Sequence, residues 1–168
     1  MLHVCSLSKL PETVTETGAR SLVTLINAEM TVPTPDGIDP EHHLFLAFND
    51  IVDPVDGLTP ASEQHIVELL EFINAWDRKA PLIIHCWAGI SRSTAGAYVA
   101  ACSLTPDMDE YRLAAILRER SPSATPNARI VAMADKLLGR DGRMIDAIRG
   151  IGRGANAFEG TPFVMPIE

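Results

Sequence analysis

What this chain lacks narrows its possibilities first. No run of about 18 apolar residues occurs anywhere in the 168, so no membrane-crossing helix is expected. Positive charge is scarce: 14 Lys and Arg stand against 22 Asp and Glu, a formal net charge of −8. That balance argues against nucleic acid or a membrane surface as a partner. Cysteine is confined to Cys5, Cys86 and Cys102, an odd number that does not read as a disulfide framework. No charged segment precedes the opening Met1–Leu7, so a secretory signal is not expected. Internal repeats and low-complexity tracts are missing too. With 46% apolar and 21% charged residues, the chain is composed like one globular domain able to bury a core.

The chain is organised around residues 82–102. Leu82, Ile83 and Ile84 form an apolar run that predicts a fully buried strand. The Ala-rich run Thr94–Cys102 predicts a helix. Between them lies a short loop from Cys86 to Arg92, with Gly89 near its middle. A strand, a tight loop and a helix N-terminus together make an anion site, because loop N–H groups turn inward and the helix dipole favours negative charge. A thiol opens the loop and a guanidinium closes it, so both are expected to face the same anion.

The pattern His85-Cys86-x-x-Gly89-x-x-Arg92-Ser93 resembles the signature of the protein tyrosine phosphatase superfamily. The whole resembles its compact, bacterial-type or dual-specificity-like members, with every fixed position met. The resemblance runs over about residues 1–138. It implies a phosphatase domain, taken here as residues 1–151, followed by a C-terminal tail, 152–168.

The remaining elements are read from period and turn chemistry. Residues 2–7, 22–26 and 43–48 are β-rich apolar runs. The three prolines of residues 31–41 make a loop. Thr59-Pro60, Thr105-Pro106 and Thr125-Pro126 each resemble a helix start, with an N-cap hydroxyl before Pro at the first helical position. Met144, Ile145, Ile148 and Ile151 suggest a last short helix, and residues 152–168 read as an aperiodic tail, extended or disordered. The expected architecture is α/β: a single domain with a central sheet of four or five strands flanked by helices. One βα crossover is expected, around residues 43–86.

The resemblance assigns roles. Cys86 is the nucleophile and forms a covalent phospho-intermediate. Loop amides, the helix end and Arg92 favour its thiolate. Arg92 offers phosphate a planar fork that Lys cannot copy. The loop Cys86-Trp87-Ala88-Gly89-Ile90-Ser91-Arg92 cradles the phosphate oxygens. Ser93 supplies a hydroxyl to the thiolate, and His85 orders the loop rather than acting as acid. The general acid follows the strand before the signature: Asp50 closes Leu46-Ala-Phe-Asn-Asp50, with Asp53 and Asp56 as rivals. Pro126-Asn127 looks like the helix start that supports the active-site loop in dual-specificity enzymes. Cys5 and Cys102 read as core, though either would be a candidate to protect Cys86 by a reversible disulfide.

No cofactor or metal is implied. The expected partner is a phosphorylated protein or peptide, and a nucleophilic thiol points to a reducing compartment, the cytoplasm. A phosphate-binding module without turnover and a rhodanese-type sulfurtransferase remain the alternatives. Trp87, Ala88, Ile90 and Ser91 include no Lys or Arg, which disfavours polyphosphorylated inositol headgroups. The chain is too short for the extra phosphotyrosine-recognition loop of the large enzymes, so the pocket is expected to be shallow.

Overall fold

The computed structural model of the protein describes residues 1–167. Five strands make one sheet: β1 (Leu2–Ser6), β2 (Ser21–Ile26), β3 (His43–Ala47), β4 (Leu82–Cys86) and β5 (Phe163–Met165). Their order is β3-β2-β4-β1-β5. The first four run parallel, and β5 joins β1 antiparallel. Among the described residues six α-helices flank the sheet: α1 (Leu10–Thr17), α2 (Glu63–Ala75), α3 (Arg92–Leu104), α4 (Glu110–Arg120), α5 (Ala128–Leu137) and α6 (Arg143–Ile151). This is the expected single α/β domain, with the sheet at the upper end of the expected strand count.

The unbroken apolar run of β4 follows from its place. It is the middle strand, and every one of its residues is buried, as a strand covered on both faces must be. On one face, Leu10 and Val14 of α1 pack over Cys5, Leu22 and Ile83. The other face, with Val4, Leu25 and Ile84, lies under α2 to α6. Helix α3 is buried from Arg92 through Cys102. Its small residues set that closeness: a Cβ on Gly96 would lie 3.0 Å from Leu25 Cδ1.

Three expectations differ from the structure. First, all three links among the parallel strands are crossovers, not one; β2 reaches β3 through a loop with a 3₁₀ turn at Pro40–His42. Second, the Thr-Pro pairs are not the helix caps. Ser62 caps α2 by accepting from His65 N, Asp109 caps α4 by accepting from Arg112 N, and Asn127 caps α5 by accepting from Arg129 N and Ile130 N. Thr105 instead closes α3, donating its hydroxyl to Ala101 O at 2.7 Å. A hydroxyl before proline suits an extended approach as well as a cap, and the side-chain acceptors nearer each helix take the free N–H groups. Third, residues 152–167 run from α6 across the carboxyl end of the parallel strands and return as β5, in register Leu2↔Met165.

Candidate active site

Cys86 ends β4, and Arg92 and Ser93 open α3, so the signature loop lies at the carboxyl end of the central strand. There an open α/β sheet places its ligands. The loop carbonyls show how it is turned. Trp87 O accepts from Leu7 N (3.1 Å), Ala88 O from Gly160 N (2.8 Å), Ile90 O from Thr125 N (2.9 Å) and Ser91 O from Asn127 N (3.2 Å). All four point outward into neighbouring segments. Gly89 N points inward, 3.2 Å from Cys86 Sγ. The N–H groups of Ala88, Ile90 and Ser91 have no protein acceptor among the described residues. Donors so arranged form a nest for an anion. Gly89 is required twice over: its φ is +71°, and a Cβ would sit 2.9 Å from Ser6 N.

Cys86 Sγ lies 3.1 Å from Ser93 Oγ at the floor of this nest. Arg92 is buried and held by one side of its fork: NH1 donates to Asn27 Oδ1 at 2.6 Å and to Phe48 O at 2.8 Å. Its Nε is buried with no partner among the described residues. Asp50 is exposed, and its Oδ1 accepts from Ser91 Oγ and from Asn127 Nδ2, both at 2.8 Å. Asp50, Asn27, Cys86 and Arg92 line one cleft of about 490 Å³. Asp53 and Asp56 are exposed and border neither this cleft nor the adjoining one.

His85 lies beneath the loop in a chain of defined proton order. Its Nδ1 faces the Cys86 carbonyl at 3.2 Å, which can only accept, so Nδ1 carries the proton. Nε2 then accepts from Thr24 Oγ1 at 2.8 Å. Thr24 Oγ1 accepts from His43 Nε2, and His43 Nδ1 accepts from Thr34 Oγ1, each at 2.8 Å. Burial holds His85 down at about 4, so it is neutral at pH 7 and is not placed to serve as an acid. The other cysteines stand apart from this chemistry. Cys5 packs on the α1 face of the sheet and Cys86 on the opposite face. Cys102 lies nine residues beyond Ser93 along α3, about 13 Å of helix. Neither geometry brings a sulfur to Cys86 without backbone movement. Burial also pushes both thiols up to about 12.

The structure thus brings together Cys86, Arg92, Ser93, His85, Asp50 and the 87–91 loop. Sequence reasoning missed Asn27 and Thr24. Their only sequence signal is a polar residue within or just after an apolar strand. Also missed were Ala157 and Phe158, which line the cleft beside Cys86 and Arg92.

Comparison with known proteins agrees with this fold. A family model described as protein-tyrosine phosphatase matches residues 54–124. No curated protein sequence matches the chain. The fold is similar to the Cydia pomonella PTP-2 phosphatase, with TM-score 0.64 and 17% identity over 80% of this chain and 84% of that one. It is similar to human DUSP28, with TM-score 0.61 and 16% identity over 89% and 94%. A third likeness is the human tyrosine phosphatase-like serine/threonine/tyrosine-interacting protein, with TM-score 0.62 and 22% identity over 83% and 92%. The fold is thus that of compact dual-specificity-like phosphatases, and the protein-tyrosine phosphatase family model matches the stretch that holds the loop from Cys86 to Ser93.

Proposed function

We propose that the chain is a cysteine-dependent phosphatase acting on phosphate monoesters, with phosphotyrosine in proteins or peptides as its main substrate. The observation that carries this reading is the posture of Arg92. Asn27 and Phe48 hold NH1 from behind, leaving the buried Nε unpaired. A buried guanidinium edge without a partner is costly unless an anion completes it. Unpaired loop N–H groups surround the same space, and a thiol lies beneath them.

The chemistry follows from these positions. Cys86 thiolate attacks phosphorus, and the bond from phosphorus to the leaving oxygen breaks. Loop amides and the Nε edge of Arg92 take the charge on the equatorial oxygens. Asp50 gives the leaving oxygen its proton from Oδ2, since Ser91 and Asn127 occupy Oδ1. Water then attacks the phosphocysteine, with Asp50 taking its proton and the Ser93 hydroxyl stabilising the departing thiolate. His85 is a positioning residue that fixes the Cys86 carbonyl. No step calls for a metal or cofactor.

Phosphotyrosine is favoured over inositol polyphosphates because positions 87, 88, 90 and 91 add no positive charge and the chain carries −8. A thiolate nucleophile suits a reducing compartment such as the cytoplasm. Iodoacetate should inactivate the enzyme near neutral pH, phosphate should protect it, and Cys86→Ser should abolish turnover of p-nitrophenyl phosphate. Turnover surviving in Cys86→Ser refutes the mechanism. Phosphopeptide binding without any wild-type turnover would make the chain a binding module.

A further inference from the structure

Residues 152–160 form a strap across one side of the active-site mouth, pinned at both ends through backbone. At its start, Gly152 O accepts from Arg118 NH2 at 2.7 Å, Gly154 N donates to Thr125 Oγ1 at 3.1 Å, and Ala155 N donates to Pro122 O at 2.9 Å. At its end, the Glu159 carboxylate accepts from the Ser6 and Ser8 hydroxyls. Gly160 N donates to Ala88 O in the catalytic loop itself. Both glycines press against backbone: a Cβ on Gly154 would lie 2.5 Å from Ser123 O, and one on Gly160 would lie 2.5 Å from Gly89 O.

Between these pins the strap holds Phe158 in water, 81% exposed. The ring meets Trp87 of the catalytic loop edge-to-face, centroids 5.7 Å apart at 81°. Trp87 is itself 45% exposed. Both rings line the cleft that holds Cys86 and Arg92. A phenylalanine so held contributes little to a core, yet its position is set by contacts on either side of it.

We infer that the strap is the specificity element of this active site, with Trp87 and Phe158 receiving the phenyl ring of a phosphotyrosine whose phosphate sits in the loop. This deepens the phosphatase reading above and rests on it. Aromatic rings favour edge-to-face and offset contact with one another, and a phosphate fixed at Arg92 directs its aryl group out past these two. A phosphoserine carries its ester oxygen directly on Cβ. It offers no ring, and it draws its own backbone toward the strap. The wall that a longer enzyme would build from an added loop is here supplied by a segment after the last helix.

The test uses one peptide sequence carrying either phosphotyrosine or phosphoserine, with wild type, Phe158→Ala, Phe158→Trp and Trp87→Ala. Phe158→Ala should lower kcat/KM on the phosphotyrosine peptide by about five- to tenfold, chiefly through KM, as expected for loss of an aromatic contact. Activity on phosphoserine should change less than about twofold, and Phe158→Trp should restore the phosphotyrosine value. Equal losses on both peptides, or none on phosphotyrosine, overturn the inference. Should the wild type turn over nothing, the phosphatase reading fails and binding decides this one. Cys86→Ser should then bind phenyl phosphate more tightly than methyl phosphate, with quenching of the exposed Trp87, and Phe158→Ala should erase the difference. Equal binding of the two esters overturns the inference independently.

Discussion

The signature loop, residues 86–93, and the strap that lies against it, residues 152–160, are held by the same device, and the proposed function gives them different work. Each depends on a glycine whose Cβ would strike backbone: Gly89 against Ser6 N, Gly160 against Gly89 O. In the loop, the side chains on either side of that glycine are those the proposed chemistry needs: a thiol, a guanidinium, a hydroxyl. To the cleft that holds Cys86 the strap presents only Ala157 and the ring of Phe158, while Arg153 lies in the adjoining cleft and Glu159 is tied to Ser6 and Ser8. Disturbing the loop or its acid should therefore act on kcat, while disturbing the strap should act on KM. Strap variants that lowered kcat on small substrates would break this division.

The largest expected effect short of losing the proposed nucleophile is at the proposed acid. Asp50→Ala should lower kcat by about 10²–10⁴ on alkyl or phenolic esters with poor leaving groups. The loss should shrink on p-nitrophenyl phosphate, whose leaving group needs little protonation, and the basic limb of the pH–rate profile should flatten. Asp53→Ala and Asp56→Ala should stay within a few-fold of wild type. If Asp53→Ala shows the whole pattern and Asp50→Ala does not, the acid has been misassigned.

Arg92→Lys comes next. The ammonium keeps the charge but cannot reach Asn27 Oδ1 and Phe48 O while also facing phosphate with two donors. A fall of about 10²–10³ in kcat/KM is expected, in line with losing a preorganised donor pair. Steady-state rates on one phosphopeptide suffice, and a value within fivefold of wild type would mean that the loop amides alone bind the anion.

The loop was legible in the sequence and the strap was not, for a physical reason. The proposed chemistry needs a thiol, a tight-turn glycine and a guanidinium at set spacing, and residue types at set spacing are visible in a sequence. The strap is held by main-chain bonds from Gly154, Ala155 and Gly160, which leave no period and no composition. Its return strand is only three residues long. Asn27, which aims Arg92, is a single polar residue after an apolar strand, indistinguishable in sequence from a turn. The Thr-Pro pairs illustrate the converse: a local pattern was present, but side chains nearer each helix made the caps.

Beneath the loop, His85 offers a test by pH. Its folded-state value lies at about 4, below the ordinary 6.5, mainly because it is buried. As pH falls from about 6.5 toward 4, the unfolded chain takes up a proton that the folded chain refuses, so stability drops across that window. A gap of this size corresponds to about 3 kcal/mol, or about 300-fold in the folding equilibrium. Burial likewise lowers His3, His43 and His65, adding to the same slope. Denaturant titrations at pH 7, 5.5 and 4.5 should show the decline, and His85→Gln should flatten part of it while lowering stability at pH 7. An unchanged slope in that variant would mean that the other histidines or the carboxylates set it.

The smallest effect concerns the pin between the two regions. Gly160→Ala places a methyl 2.5 Å from Gly89 O, a backbone atom that cannot swing aside. The catalytic loop is further held by Leu7, Thr125 and Asn127, so the strap should give way instead. KM for phosphotyrosine peptides should then rise about five- to tenfold as Phe158 leaves Trp87. The kcat on p-nitrophenyl phosphate should stay within about twofold, since Asp50 and Arg92 are anchored elsewhere. Gly150→Ala is the matched control: it lies inside α6 with nothing within 4 Å of the new Cβ, and it should stabilise by about 0.4–1 kcal/mol without altering KM. Should Gly160→Ala lower kcat on the small substrate as strongly as it raises KM on the peptide, loop and strap are one rigid unit and the division between chemistry and recognition does not hold.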